Sequence, residues 1–298
     1  MKELIRRTTG FEVAMEPDKD HVVCSSTDND TATLPRYARL PINRCNLPAI
    51  ILGSLTFQHA PAPLQIDGVA ELHRDLFRRL DNCDEREKRA EVFGDYLTVR
   101  FCLEDLAEAG LTERSEKRAN ANWMRVLRGW SFNSDSREGA ILKGWVESRF
   151  GLLPRFHKEP LRDFSGAAYL RYLEMRSSGL YGTNALESQL DLVFSYGQYE
   201  YQRSQQAGES LLLYRGINRL NEHEVLSKTG KRQIVLFNNL TSFTASRERA
   251  SEFGDYILST RVPTDKIFFH HDLVPGVLKG EDEYLVIGGI YDVDIRTF

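Results

Sequence analysis

Apolar positions change their period part-way along this chain. From Val69 to Leu80 they fall at Val69, Leu72, Leu76 and Leu80, the spacing of one helical face, with Asp67 placed to cap it. Glu85 to Ala109 continues helically through Phe93, Leu97 and Phe101, and Asn120 to Trp130, Arg137 to Phe150 and Ser165 to Arg176 predict further helices. The longest run, Asn184 to Gln205, is introduced by Gly182-Thr183-Asn184 and left at Gly208, a Gly stop typical of helix C-termini. Its aromatics Phe194, Tyr196, Tyr199 and Tyr201 read as core and rim packing in preference to a cofactor platform.

Beyond Gly208 the apolar runs become short and rich in β-branched and aromatic residues: Ser210–Tyr214, Gln233–Phe237, Leu240–Phe243, Tyr256–Val262, Lys266–His270, Tyr284–Ile287 and Ile290–Ile295. Turn residues separate them at Gly216, Asn238-Asn239, Pro263, Pro275-Gly276 and Gly288-Gly289, so the pattern predicts strands. Short helices are expected at Asn221–Ser227 and Arg247–Phe253. A helical portion followed by a mainly antiparallel β core is an α+β arrangement. Three regions result: a loosely ordered extension over 1–46, polar and Asp-rich and then Pro-punctuated; a helical region over 47–208; and a β-rich core over 209–298. The long helix runs directly into the first strand of the core, which favours one continuous body over 47–298.

Composition narrows the class. The chain has 298 residues, 41% of them hydrophobic, enough for a substantial core. Its 39 Lys+Arg against 43 Asp+Glu leave a net charge of -4, which argues against nucleic acid as the main partner. No apolar run reaches the roughly 20 residues of a membrane span, and the first residues lack the apolar stretch of a secretory signal. Cys24, Cys45, Cys83 and Cys102 form no Cys-x-x-Cys pair; they read as free thiols of a cytoplasmic protein, with no metal site.

Candidate chemistry lies near the C-terminus. In Glu281-Asp282-Glu283, running into the strand Tyr284–Ile287, the two glutamates share a face because side chains two apart on a strand do so, and Asp282 points away. An anion at a strand mouth suits a reaction in which positive charge develops on a sugar. Upstream stand Tyr214-Arg215-Gly216 and Thr241-Ser242-Phe243-Thr244. Arg215 offers a permanently charged fork for a pyrophosphate, Gly216 a place where backbone approaches a ligand closely, and Ser242 and Thr244 hydroxyls that orient a carboxylate or bind a ribose. Each alone is an ordinary strand residue; their order, each at a strand, makes them a set. A retaining or inverting glycosidase fits less well, because carboxylates two apart on one strand do not flank a sugar from opposite faces.

An arginine, a serine-bearing strand and Glu-x-Glu in that order resemble the R-S-E class of mono-ADP-ribosyltransferases. The resemblance implies NAD as a consumed substrate, Glu283 as the catalytic anion and Glu281 as the group that handles an acceptor arginine. It also implies an aromatic residue against the nicotinamide, for which Phe253 is the candidate, its alternative being a core position of a short helix. Ser242-Phe243-Thr244 departs from the usual Ser-Thr-Ser and keeps the leading serine. More of the chain, including Pro63-Leu64-Gln65-Ile66-Asp67-Gly68-Val69, Leu72-His73-Arg74-Asp75-Leu76-Phe77 and Phe93-Gly94-Asp95-Tyr96, is similar to the NAD–dinitrogenase-reductase ADP-ribosyltransferases. That similarity implies the nitrogenase iron protein as acceptor, as an off-switch for nitrogen fixation, with control by a PII-type signal protein; the helical region is then the expected site of target recognition. The rivals are an arginine-specific transferase with another target, as in an effector or toxin, and a non-catalytic module on the same scaffold. His270-His271-Asp272 does not read as a metal site, because adjacent strand residues face opposite ways. The charge run Asp84–Arg89 reads as a solvated helix start.

Overall fold

A computed structural model describes residues 33–103, 121–180, 184–219, 223–278 and 282–297. Most of the expected N-terminal extension lies outside them. Its last part is packed: Leu34, Ala38 and Cys45 are buried, and Leu40 and Arg44 donate backbone hydrogen bonds to Gly151 and Arg149 at 2.7 and 3.0 Å. The chain therefore joins the body ahead of residue 47.

The helices are α1 (Ala49–Leu52), α2 (Leu55–His59), α3 (Val69–Leu72), α4 (Arg74–Asp81), α5 (Arg86–Phe101), α6 (Trp123–Phe132), α7 (Arg137–Phe150), α8 (Ala167–Gly179) and α9 (Ala185–Arg203). The run from Val69 to Leu80 is two helices, broken at His73, whose ψ of 28° is not helical. The helix expected over Glu85–Ala109 ends at Phe101, where Cys102 turns left-handed with φ 53°; residues 104–109 of that expectation lie outside the described residues. Helix α6 shows why periodicity works: Trp123, Val126, Leu127 and Trp130 are its buried residues, one stripe at i, i+3, i+4 and i+7, and the Asn122 side chain caps it by accepting from the Met124 N–H.

A two-stranded ribbon, β1 (Phe156–His157) with β2 (Glu159–Pro160), precedes the main antiparallel sheet. That sheet comprises β3 (Ser210–Ile217), β4 (Glu224–Thr229), β5 (Arg232–Thr244), β6 (Tyr256–Pro263), β7 (Ile267–His270) and β8 (Glu283–Thr297), in the order β4-β5-β3-β6-β8-β7 with β5 also paired to β8. The helix α10 (Arg247–Ser251) follows β5. Where the sequence suggested four strands there are two long ones. Asn238-Asn239 is a bulge within β5, opposite β8, and its amides join the two halves of the protein. The Asn239 Nδ2 donates to the Lys143 and Leu152 carbonyls at 2.7 and 3.0 Å, and the Asn238 Oδ1 accepts from the Arg155 N–H at 2.9 Å. Gly288-Gly289 is likewise no turn; a Cβ on Gly288 would stand 1.8 Å from the Asn238 carbonyl oxygen. Of the helix expected at Asn221–Ser227, the first two residues lie outside the described residues, and from Glu224 the chain forms β4, an edge strand whose register shift between Val225 and Ser227 hides its alternation.

The main core runs through both portions. Phe93 stacks on Tyr196 at 4.1 Å between centroids, and Trp145 packs on Phe268 at 4.6 Å, so the aromatic face of α9 is packing, as its pattern suggested. Two buried arginines brace it. Arg149 grips Asp191 through Nε and Nη2 at 2.7 and 3.0 Å, and Arg89 grips Glu200 at 2.7 Å through both nitrogens. Arg89 thus leaves the solvated charge run in which the sequence placed it.

Three histidines, His157 and His270 buried and His223 half-buried, give the fold an acid limit. Burial pushes His157 down to about 4, with Lys143 beside it adding to the shift. Burial likewise pushes His270 to about 3, with Arg86 and His271 contributing, and His223 to about 3, with Arg215 contributing. All three start from 6.5 in the unfolded chain. Below that value the unfolded chain takes up protons that the folded chain refuses, so stability is complete above pH 6.5 and declines as pH falls toward 4. Urea midpoints should therefore drop between about pH 7 and pH 5, the unfolding free energy falling by at most about 2 kcal/mol per histidine. His157→Gln should flatten that slope; an unchanged slope would remove His157 from the account.

Candidate active site

Strands β3, β5 and β8 converge at one end of the sheet, and the register there assembles the predicted residues. Tyr214 pairs with Thr244, Thr244 pairs with Glu283, and Ser242 pairs with Leu285. Ser242 and Glu283 are thus diagonal neighbours on one face, a separation that side chains of this length can bridge. The Ser242 Oγ donates to the Glu283 Oε1 at 2.6 Å. Arg215, next to Tyr214, donates from Nη1 to the Ser242 carbonyl at 2.9 Å and from Nε to the His223 Nε2 at 3.4 Å. A neutral His223, held so by burial and by Arg215 itself, can accept that bond.

Helix α6 supplies two side chains that the sequence pattern did not single out. The Trp130 Nε1 donates to the Ser242 Oγ at 2.9 Å, and the Ser131 Oγ donates to the Glu283 Oε2 at 2.6 Å. Nothing in the local pattern marks them, since Trp130 fits the apolar stripe and Ser131 is one polar residue at a helix end. Both hydroxyl contacts to Glu283 have the length of charge-assisted bonds to a carboxylate.

Two cavities abut across Trp130, Arg215 and Ser242. The first, about 650 Å³, has Glu283, Ser131, Gly216, Thr244, Phe132 and Phe253 in its walls. The second, about 560 Å³, is cationic, with Arg155, Arg162, Arg219 and Lys143 around it. Each is of the size that holds a drug-sized ligand, and the pair suits a dinucleotide whose phosphates seek the arginines. Lys143 is buried, salt-bridged to Asp135 at 2.8 Å, and its pKa is lowered by that burial. On the rim Arg155 contacts Glu224 at 3.3 Å and lies over the Tyr37 ring at 4.7 Å.

The other expected site residues divide. Phe253 is 63% exposed, a wall of the Glu283 cavity and not a core residue. Gly216 lines the Glu283 cavity and also seats α10, since a Cβ there would stand 1.9 Å from the Ala250 carbonyl oxygen. The Thr244 Oγ1 accepts from the Ser246 N–H at 3.2 Å, serving the turn into α10. Glu281 lies outside the described residues. His270 and His271 have ring centroids 6.4 Å apart at 82°. Among the described residues no group of three or more His, Cys, Asp and Glu could hold a metal, and no helix is long and apolar enough to cross a membrane.

Comparison with known proteins adds independent information. A family model described as dinitrogenase reductase ADP-ribosyltransferase matches residues 42–295. A protein of Rhodospirillum rubrum, NAD(+)–dinitrogen-reductase ADP-D-ribosyltransferase, is 41% identical over 254 residues, covering 84% of this chain and 92% of its own. No solved structure matches the chain.

Proposed function

The chain belongs to the dinitrogenase reductase ADP-ribosyltransferase family, and from that premise we propose that it transfers ADP-ribose from NAD to an arginine of the nitrogenase iron protein, with Glu283 as the catalytic anion. The observation that carries the site assignment is the convergence of Arg215, Ser242 and Glu283 at one end of the sheet, between two cavities.

Nicotinamide leaves with the electron pair of its bond to ribose C1′, so no general acid is needed for it. Glu283 faces the positive charge that develops on the ribose and accepts from its 2′-hydroxyl. Ser242 holds Glu283 in place, and Arg215 takes the pyrophosphate, with the cationic cavity beyond it receiving the adenosine side. Phe253 packs against the nicotinamide ring. An acceptor guanidinium stays protonated up to about pH 12 or beyond, so a base must take its proton as the new C1′–N bond forms; Glu281 is our candidate. The reading of 47–208 as target-recognising belongs to the same proposal, as do a cytoplasmic location and control by a PII-type signal protein, both on family resemblance.

Intact-mass spectrometry of ADP-bound iron protein incubated with this chain and NAD tests the proposal. One added ADP-ribose, mapped to an arginine, is the expected result. Nicotinamide release with no mass added to the iron protein would move the acceptor to another protein. Neither signal would leave a non-catalytic module.

A further inference from the structure

We infer that Ser131, backed by Trp130, is a positioning residue that fixes the catalytic orientation of Glu283 from the helical half of the protein. The inference rests on Glu283 being the anion proposed above.

A glutamate carboxylate turns about a broad, roughly two-fold χ3, so one hydrogen bond to one oxygen leaves its plane free to swing. Ser242 holds only Oε1, at 2.6 Å, and Ser131 holds Oε2, also at 2.6 Å. The two hydroxyls come from different parts of the chain, one from β5 and one from α6, and together they define the plane. Each carboxylate oxygen keeps a further lone-pair site, so the clamp leaves Glu283 able to accept from a ribose hydroxyl in the cavity that both residues line. Trp130 completes the arrangement. Its indole N–H donates to the Ser242 Oγ at 2.9 Å and so leaves the serine's own proton directed at Glu283.

The helix is anchored for this task. Trp130 is only 3% exposed, the Lys143 ammonium lies 5.8 Å from its ring centroid, and Lys143 is tethered to Asp135. The stripe Trp123, Val126, Leu127 and Trp130 locks the backbone that carries Ser131. Displacement of α6 by a fraction of an ångström would reach the reacting centre through these two hydrogen bonds.

Steady-state nicotinamide release, with kcat and KM for NAD measured separately, tests this on S131A, S131C, S131T and W130F beside wild type and E283Q. S131A and S131C should lower kcat about 10- to 100-fold with KM within about twofold, because the lost bond orients a group acting in the transition state. S131T restores the hydroxyl and should recover kcat to within about threefold of wild type, whereas S131C keeps the size but is a weak donor. W130F should lower kcat less than S131A does. A role in packing alone predicts the reverse order, with alanine and cysteine tolerated and the larger threonine worst. The inference is overturned by S131A or S131C at wild-type kcat, by S131T as poor as S131A, or by a loss confined to KM. Should S131A fail to fold, the S131C and S131T pair still separates positioning from packing. An active E283Q would instead overturn the assignment of Glu283, an outcome distinct from an inactive E283Q beside a fully active S131A.

Discussion

Glu283→Gln should bind NAD with KM within about threefold of wild type yet lose roughly 10³-fold in kcat, in both transfer and hydrolysis. The substitution keeps the length and planarity of the side chain. Its amide can still meet Ser131 and Ser242, because one hydroxyl rotates to accept where it formerly donated. Folding should therefore change little, and the loss isolates the negative charge. An anion matters here because nicotinamide leaves without protonation, so the residual barrier is charge developing on the ribose; a preorganised carboxylate in a half-closed cleft acts on that charge without solvent rearrangement. The measurement is nicotinamide release under saturating NAD with and without acceptor. Retention of more than a tenth of wild-type turnover would take the anion away from Glu283. A deficit confined to transfer, with hydrolysis intact, would assign Glu283 to the acceptor in place of the ribose.

What the sequence made legible follows from which physics is local. Helical periodicity located α6 because it buries a single stripe, whereas α7 and α9 are buried over most of their circumference and were legible by length, not by a stripe. The R-S-E order was readable because Arg215, Ser242 and Glu283 each sit at a strand of recognisable composition. Features that depend on another part of the chain were not legible. Asn238-Asn239 has the composition of a turn, and only the approach of α7 and β1, whose Lys143 and Phe156 carbonyls its amides meet, makes it a bulge in a longer strand. Gly288 has the same origin, since the Asn238 backbone fills the space its side chain would need. Gly216 carries a constraint that no local pattern shows, because α10 occupies the place a Cβ would take. Arg89 looked solvated in its own segment and is buried against Glu200, more than a hundred positions away. Ser131 is the sharpest case. Its local sequence carries no signal, and its contact with Glu283 spans 152 positions.

Arg215→Lys should cost about 10²-fold in kcat/KM, although it preserves the charge. The guanidinium performs two tasks from one plane. Its Nη1 donates to the Ser242 carbonyl at 2.9 Å and its Nε to His223 at 3.4 Å, which ties β3 to the strand that bears the serine. The same fork stands between the two cavities, where a pyrophosphate joining the halves of NAD would pass. A lysine ammonium can reach a phosphate as a point charge, but it cannot also keep two fixed donors toward Ser242 and His223. NAD should then be held loosely and Ser242 should shift relative to Glu283, so both KM and kcat should suffer. The split between them is informative: a loss in KM alone would make Arg215 a simple phosphate ligand, while a loss in kcat alone would make it a brace for Ser242. Wild-type kcat/KM in the lysine variant would remove the fork from the mechanism and leave charge as its whole contribution.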